Sequence, residues 1–481
     1  MMGTQTRDTD PYTIDPLDYL ALLNGDLSAV QQREHYQVLR LSLLRVQSED
    51  LASFDLALKQ VNKKLGISSK TVKKDLAAMA EPSTSKEARE LLEQMGQARA
   101  LRLSQDFVDG RLWYGVIAGE NRLLLNSDRQ LLTLEQVPEG LAVKDGGFDL
   151  CRLSKDGIMH FLSGGTATGA ELLTDLRAFF TRFAVFKDAR IPLLLATWTL
   201  GTYCYRIFRV FPYLVLRSPV KRCGKSRVLD LLSLVTFNAS SPTTNPTPAQ
   251  LFRSPSRDGG TMLLDEVEML GKTDSDSYKE LLATLNAGFE AGRDVPRQEK
   301  GPDGNYQERR FEVYCPRALA GINKLAETLE DRGVIFLMQR KLRQEKTARF
   351  SPRKLQDEVQ TLRDRCYQWA LTHAVDLAAT YDRADKTFPA LDQLDDRARD
   401  LWEPVVSIAA LADAERGDEQ RTLTDELVGL ARDLCQVRDG AAEDSTVVQV
   451  VRALQEIITD KPKGGLFQNE AAITLTPAIP G

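Results

Sequence analysis

The run from Phe211 to Leu232, FPYLVLRSPVKRCGKSRVLDLL, constrains the fold more than any other stretch of the chain. Phe211 to Leu216 is almost wholly apolar, as a strand buried on both faces of a parallel sheet must be. A short polar loop follows, and then Val228, Leu229, Leu232 and Val235 recur at helical spacing. Neighbouring parallel strands need a long crossover, usually a helix. Strand, loop and helix in this order predict an α/β structure with a parallel sheet.

The loop itself carries chemistry. It ends in Gly224-Lys225-Ser226, the last three positions of the pattern G-x-x-x-x-G-K-[ST], and it lies between a strand and a helix as that pattern requires. Ser218 stands where the pattern has its first glycine, which is tolerable if φ there is not forced positive. Such a loop turns the backbone of Ser218, Lys221, Arg222, Cys223 and Gly224 toward phosphates at a helix N-terminus. Lys225 then neutralises phosphate oxygens, and Ser226 offers a hydroxyl to Mg²⁺. ATP and Mg²⁺ are the expected ligands.

About 40 residues on, GGTMLLDEVEML holds a short apolar strand, Thr261 to Leu264, ending in Asp265-Glu266. At that distance after a phosphate loop, Asp265 is expected to hold Mg²⁺ directly or through water. Glu266 is expected to be the general base for water. A helix over 276–291 precedes two extended runs, 295–300 and 306–315, flanking Gly301-Pro302-Asp303-Gly304, which predicts a β-hairpin. CPRALAGIN then reads as a strand ending in Asn323, placed to sense a γ-phosphate. After a short helix, Arg332 is the expected arginine finger acting on a neighbouring subunit, with Arg340 as competitor. On the hairpin, Lys300 and Arg309 are assigned to nucleic acid; Arg309 and Arg310 point to opposite faces, so at most one shares Lys300's side.

The remaining chain divides by composition. Residues 1–100 read as helical, and Ala52 to Met79 read as a helix-turn-helix broken at Gly66, with Lys70, Lys73 and Lys74 on its second helix. Residues 101–170 read as a small β-rich module, 171–345 as a P-loop ATPase core and 346–481 as a helical C-terminal domain. The apolar run from Ile191 to Tyr205 is too short to span a bilayer and reads as a buried helix. With 63 basic and 68 acidic residues, the net charge of −5 excludes a histone-like coat, so any nucleic-acid contact must come from local patches. Six scattered cysteines without a C-x-x-C pair, and three histidines, argue against a zinc site and for a reduced, cytoplasmic protein. No export signal or membrane contact is expected.

Five blocks in order, PYLVLRSPVKRCGKSRVLDLL, LLDEVEML, LLATLNAGFEAG, ALAGINKLAETLEDRGVIFLMQRK and LDDRARDLWEPVVSIAALA, resemble the family numbered 3631 among domains of unknown function, over about residues 170–460. The resemblance implies ATP hydrolysis and a helicase-like role in phage or plasmid replication, beside a primase or another replication protein. Two features depart from it: the basic segment that commonly follows is absent beyond Gly465, and no primase motif or zinc-binding cluster precedes the core. The order of loop, acidic strand, hairpin, sensor and finger is also similar to AAA+ and superfamily-three helicases. That likeness implies a homo-oligomeric, hexamer-like ring whose hairpin touches single-stranded DNA in the central pore; single- or double-stranded DNA is the expected partner of the chain. An ATP-hydrolysing ring motor is thus the leading expectation. A non-motor ATPase switch, such as a loader, a defence sensor or a DNA-bound regulator, remains open beside it. Intact Lys225, Asp265 and Glu266 argue against a scaffold that binds nucleotide without turnover.

Overall fold

The structure, a computed structural model, describes residues 15–23, 25–80, 99–138, 140–144, 151–244, 246–267, 276–300, 305–322, 325–417 and 421–443. The chain falls into two compact units, Met1–Gln97 and Ala98–Gly481.

The first unit holds α1 (Pro16–Ala21), α2 (Ala29–Glu49), α3 (Leu51–Leu65) and α4 (Ser69–Ala80). Ser28 and Gln31 form a capping box at the start of α2, and Asp50 caps α3. Gly66 ends α3 in the left-handed region (φ 66°), which a residue with a Cβ would adopt at a cost. Its core joins Tyr36, Leu39 and Leu43 of α2 to Phe54, Leu58 and Val61 of α3 and Val72 and Leu76 of α4.

The second unit opens with strands. β1 (Arg99–Arg102) pairs in parallel with β6 (Leu141–Lys144). Between them β2 (Asp106–Val108), β3 (Arg111–Ala118), β4 (Asn121–Asn126) and β5 (Leu131–Thr133) form an antiparallel meander. The run FDLCRLS resembles one more strand by alternation, yet Cys151 to Ser154 is not one. Ser154 instead caps α5 (Lys155–Leu162), accepting from the Gly157 N–H, and its hydroxyl donates to Asp364 at 2.6 Å. Next come α6 (Gly169–Phe183) and α7 (Ile191–Thr202), the latter buried at every residue, as expected for the apolar run. Among the described residues no helix is long and apolar enough to cross a membrane.

The central sheet follows: β7 (Tyr213–Arg217), α8 (Lys225–Val235), β8 (Thr243–Thr244), α9 (Pro248–Asp258), β9 (Met262–Asp265), α10 (Asp276–Ala287), the hairpin β10 (Asp294–Lys300) and β11 (Tyr306–Glu312), β12 (Arg317–Gly321), α11 (Glu327–Glu330) and β13 (Gly333–Leu337). Its five strands run in the order β13-β7-β12-β9-β8, every pair parallel. β7 and β9 are therefore not neighbours; β12 lies between them. Three helices, α12 (Gln356–Tyr381), α14 (Asp396–Glu415) and α15 (Thr422–Glu443), with the single turn α13 (Ala384–Thr387), follow among the described residues. One core joins Leu112 and Tyr114 of β3, the α6–α7 pair, Leu214 of β7 and Trp369, Trp402 and Leu430 of the late helices. The β-rich and helical segments thus share a core with the sheet.

Candidate functional site: the ends of β7, β9 and β12

β7 delivers Ser218 to the carboxyl end of the sheet, where ligands of open α/β folds bind. Ser218 is fully buried, and its N–H donates to the Gly321 carbonyl at the end of β12, at 3.2 Å. The loop then turns back on itself. The Ser218 hydroxyl donates to the Val220 carbonyl at 2.8 Å, and the Cys223 thiol donates to the same carbonyl at 3.2 Å. Arg222 sits at φ 63° and Gly224 at φ 85°. The glycine reaches that conformation without strain, while the arginine does not.

Lys225 is the first residue of α8 and only 9% exposed, and its ammonium donates to the Ser218 hydroxyl. Ser226, one residue on, donates its hydroxyl to Asp265 Oδ2 at 2.7 Å. Asp265 Oδ1 accepts the Glu266 N–H at 2.9 Å, and Glu266 itself is exposed at φ 54°. Two of the six non-glycine residues at positive φ among the described residues therefore flank this one site. Asp230, four residues after Ser226, is a third carboxylate here. Burial raises its pKa, Arg227 opposes that, and the charge of Asp265 raises it further. The sequence signal for Asp230 was available, since i and i+4 share a helix face. Among the described residues no group of three or more His, Cys, Asp or Glu side chains is arranged to hold a metal. The hard oxygens of Ser226 and Asp265 fit a magnesium ion that keeps most of its ligands as water and phosphate.

Beside Gly224 opens a cleft of about 250 Å³, bounded by Phe183, Val185, Cys223, Met338 and Thr347. It places the ends of α6 and β13 against the loop. The end of β7 is also tied to α11. Arg217 pairs with the buried Glu330, whose Oε1 accepts the Leu325 N–H at 2.8 Å. Asn323 lies outside the described residues.

Arg332 is turned into its own chain. Its Nε donates to the Asn286 carbonyl at 3.0 Å, its Nη1 to the Thr328 carbonyl, and its guanidinium lies 4.9 Å from the Phe289 ring centre. Burial and the nearby Arg397 lower its pKa. Arg340, beyond β13, is exposed.

The hairpin register corrects one assignment. Directly paired residues share a face, and Lys300 pairs with Tyr306, Pro296 with Arg310, and Arg297 with Arg309. Arg310, and not Arg309, therefore lies on Lys300's face. Arg309 falls on the face of the buried Val295 and Phe311, and it is held by Glu299 at 3.3 Å. Tyr306, beside Lys300, is 72% exposed, an aromatic that alternation alone did not single out.

No curated protein matches the chain. Among solved structures it is similar to the SCCmec type IV Cch active helicase, at 10% identity and a TM-score of 0.38 over 82% of this chain and 69% of that one. It is similar to the apo NrS-1 C-terminal region at 11% identity and a TM-score of 0.30, over 64% of this chain and 88% of that one. For a full-length MCM homolog from Methanopyrus kandleri the values are 12% and 0.34, over 67% and 70%. TM-scores this low carry no functional inference. The family match covers the late helices, including the LDDRARDLWEPVVSIAALA block, and stops short of the loop and of Asp265. Over residues 337–463 the chain matches the model of the family described as Protein of unknown function (DUF3631), the family that its sequence blocks resemble.

Proposed function

We propose that the chain is a Mg²⁺-dependent P-loop ATPase of AAA+ or superfamily-three-helicase type, a ring motor acting on DNA in mobile-element replication. The observation that carries this reading is the 2.7 Å bond from Ser226 to Asp265. It joins the start of the helix after the loop to the end of a strand two places away in the sheet. The order β7-β12-β9 supports it, because the tip of β12, followed by Asn323, then lies between loop and carboxylates.

The triphosphate rests on the backbone N–H groups of residues 221–224, at the start of α8. Lys225 exchanges the Ser218 hydroxyl for phosphate oxygens. Ser226 and Asp265 would hold the magnesium ion, which supplies charge for the phosphate oxygens. Glu266 accepts the proton of the attacking water. Asn323 reads the γ-phosphate. The nucleoside occupies the cleft at Phe183 and Met338. Arg340 is the better-placed finger, since Arg332 is held by the Asn286 and Thr328 carbonyls of its own chain. Lys300 and Tyr306 form the DNA-facing side of the hairpin beside the turn, one charge and one stacking surface, with Arg310 farther along the same face and paired with Glu308 at 3.2 Å.

Two substitutions test the site. Lys225→Ala should abolish ATP binding. Glu266→Gln should keep binding and lower turnover by about 10²- to 10⁴-fold. Wild-type hydrolysis in Glu266→Gln overturns its assigned role. ATP-dependent strand displacement by the wild type separates a motor from a switch.

A further inference from the structure

We infer that the N-terminal unit is a second, ATP-independent DNA site that docks duplex DNA through α4. The inference stands apart from the ATPase reading. α3 and α4 are joined by Gly66-Ile67-Ser68, a three-residue turn with glycine in the left-handed region. The Ser68 hydroxyl caps α4 by accepting the Thr71 N–H at 3.1 Å. Val72 and Leu76 are buried in the unit's core, which leaves Lys70, Thr71, Lys73 and Lys74 exposed.

The charge on α4 is sorted by face. Asp75, the one acid among the described side chains of α4, is taken by the unit itself: the Tyr36 hydroxyl donates to it at 2.9 Å and Arg40 pairs with it at 2.9 Å. Lys73 shares Asp55 at 3.3 Å. Lys70 and Lys74 stand four residues apart on the outer face, and no ion pair holds either among the described residues. Like charges at i and i+4 weaken a helix. Among the described residues of the unit no ion pair offsets that cost, whereas a polyanion outside it would.

Duplex DNA fits the pattern best. A helix fills the major groove and meets phosphates on both rims, with the first turns of the second helix pointing inward. The described side chains of α4 include no aromatic group on which an unpaired base could stack.

The test uses the full chain without nucleotide. Fluorescence anisotropy measures binding to a blunt DNA duplex of about two helical turns, to one of its strands, and to the equivalent RNA duplex. In Lys70→Glu/Lys74→Glu, duplex DNA affinity should fall at least about tenfold, and the slope of log affinity against log salt should flatten by about 2. Basal ATPase and the melting temperature should not change. Lys300→Ala should keep duplex binding, which separates this site from the hairpin. If the charge reversal lowers the melting temperature, Lys70→Ala/Lys74→Ala repeats the test with milder change. Unchanged duplex affinity in a folded variant overturns the proposal. So does RNA duplex binding as tight as DNA, because the narrow A-form major groove excludes a helix.

Discussion

The Lys225 ammonium is held by the Ser218 hydroxyl at the opposite end of the same loop. Without phosphate, this bond satisfies a lysine that is 9% exposed. Removing the acceptor leaves a buried charge unmatched, which costs about 1–3 kcal/mol or more. Ser218→Ala should therefore lower the melting temperature of the nucleotide-free protein. Saturating nucleotide restores an acceptor, so the ATP-induced rise in melting temperature should be larger than in the wild type. Thermal melts with and without ATP check both; an equal rise in the two proteins places Lys225 away from the phosphates.

A finger supplied in trans works only where one subunit's intact pocket meets another's intact arginine. Mixing Arg340→Ala subunits with Lys225→Ala subunits should restore part of the ATPase that each lacks. Mixing Arg332→Ala with Lys225→Ala should not, because Arg332 is engaged by Asn286 and Thr328 of its own chain. Arg332→Ala should instead lower stability, by loss of those bonds and of its packing on Phe289. Recovery with Arg332→Ala and none with Arg340→Ala reverses the assignment.

The base of the hairpin is fastened by charge. Glu312 of β11 pairs with both Arg206 and Arg102, and it is 14% exposed. Burial pushes its pKa up, but Arg206 and then Arg102 outweigh that and leave it below the ordinary value of 4.5. Glu312→Gln leaves the buried Arg206 without its carboxylate and Arg102 with Asp106 alone, and should cost about 3–5 kcal/mol near neutral pH. A carboxyl with a depressed folded pKa contributes stability above its unfolded value and loses it as pH falls through the folded one. The gap between wild type and variant should then be full at pH 7 and close as the pH falls below 4.5 through the depressed value. Urea unfolding across that range measures it, and a gap independent of pH refutes the ion-pair account.

Much of the site was legible because its parts are local. The loop from Ser218 to Ser226 and the Asp265-Glu266 pair each follow one apolar strand, and the structure places both at strand ends. The hairpin was legible from its turn residues, although residues 301–304 lie outside those described. What sequence could not show depends on register and long-range packing. Alternation says that Arg309 and Arg310 differ in face, but only the pairing of Pro296 with Arg310 says which one joins Lys300. The burial of Arg332 depends on Asn286, in a helix 46 residues earlier. Cys151 to Ser154 alternates like a strand, yet the Ser154 cap and Asp364 on a distant helix decide otherwise.

The strand order sets a timetable for the nascent chain. β7 is an apolar strand whose two partners, β12 and β13, lie roughly 100 or more residues downstream. At common rates of synthesis, about 5–20 residues per second, both edges of β7 wait for about 5 seconds or longer after it is made. During that interval its backbone groups and leucines have no sheet to join. The position that ultimately centres the loop among its carboxylates is thus also the one that most exposes the unfinished chain to aggregation and to capture by chaperones.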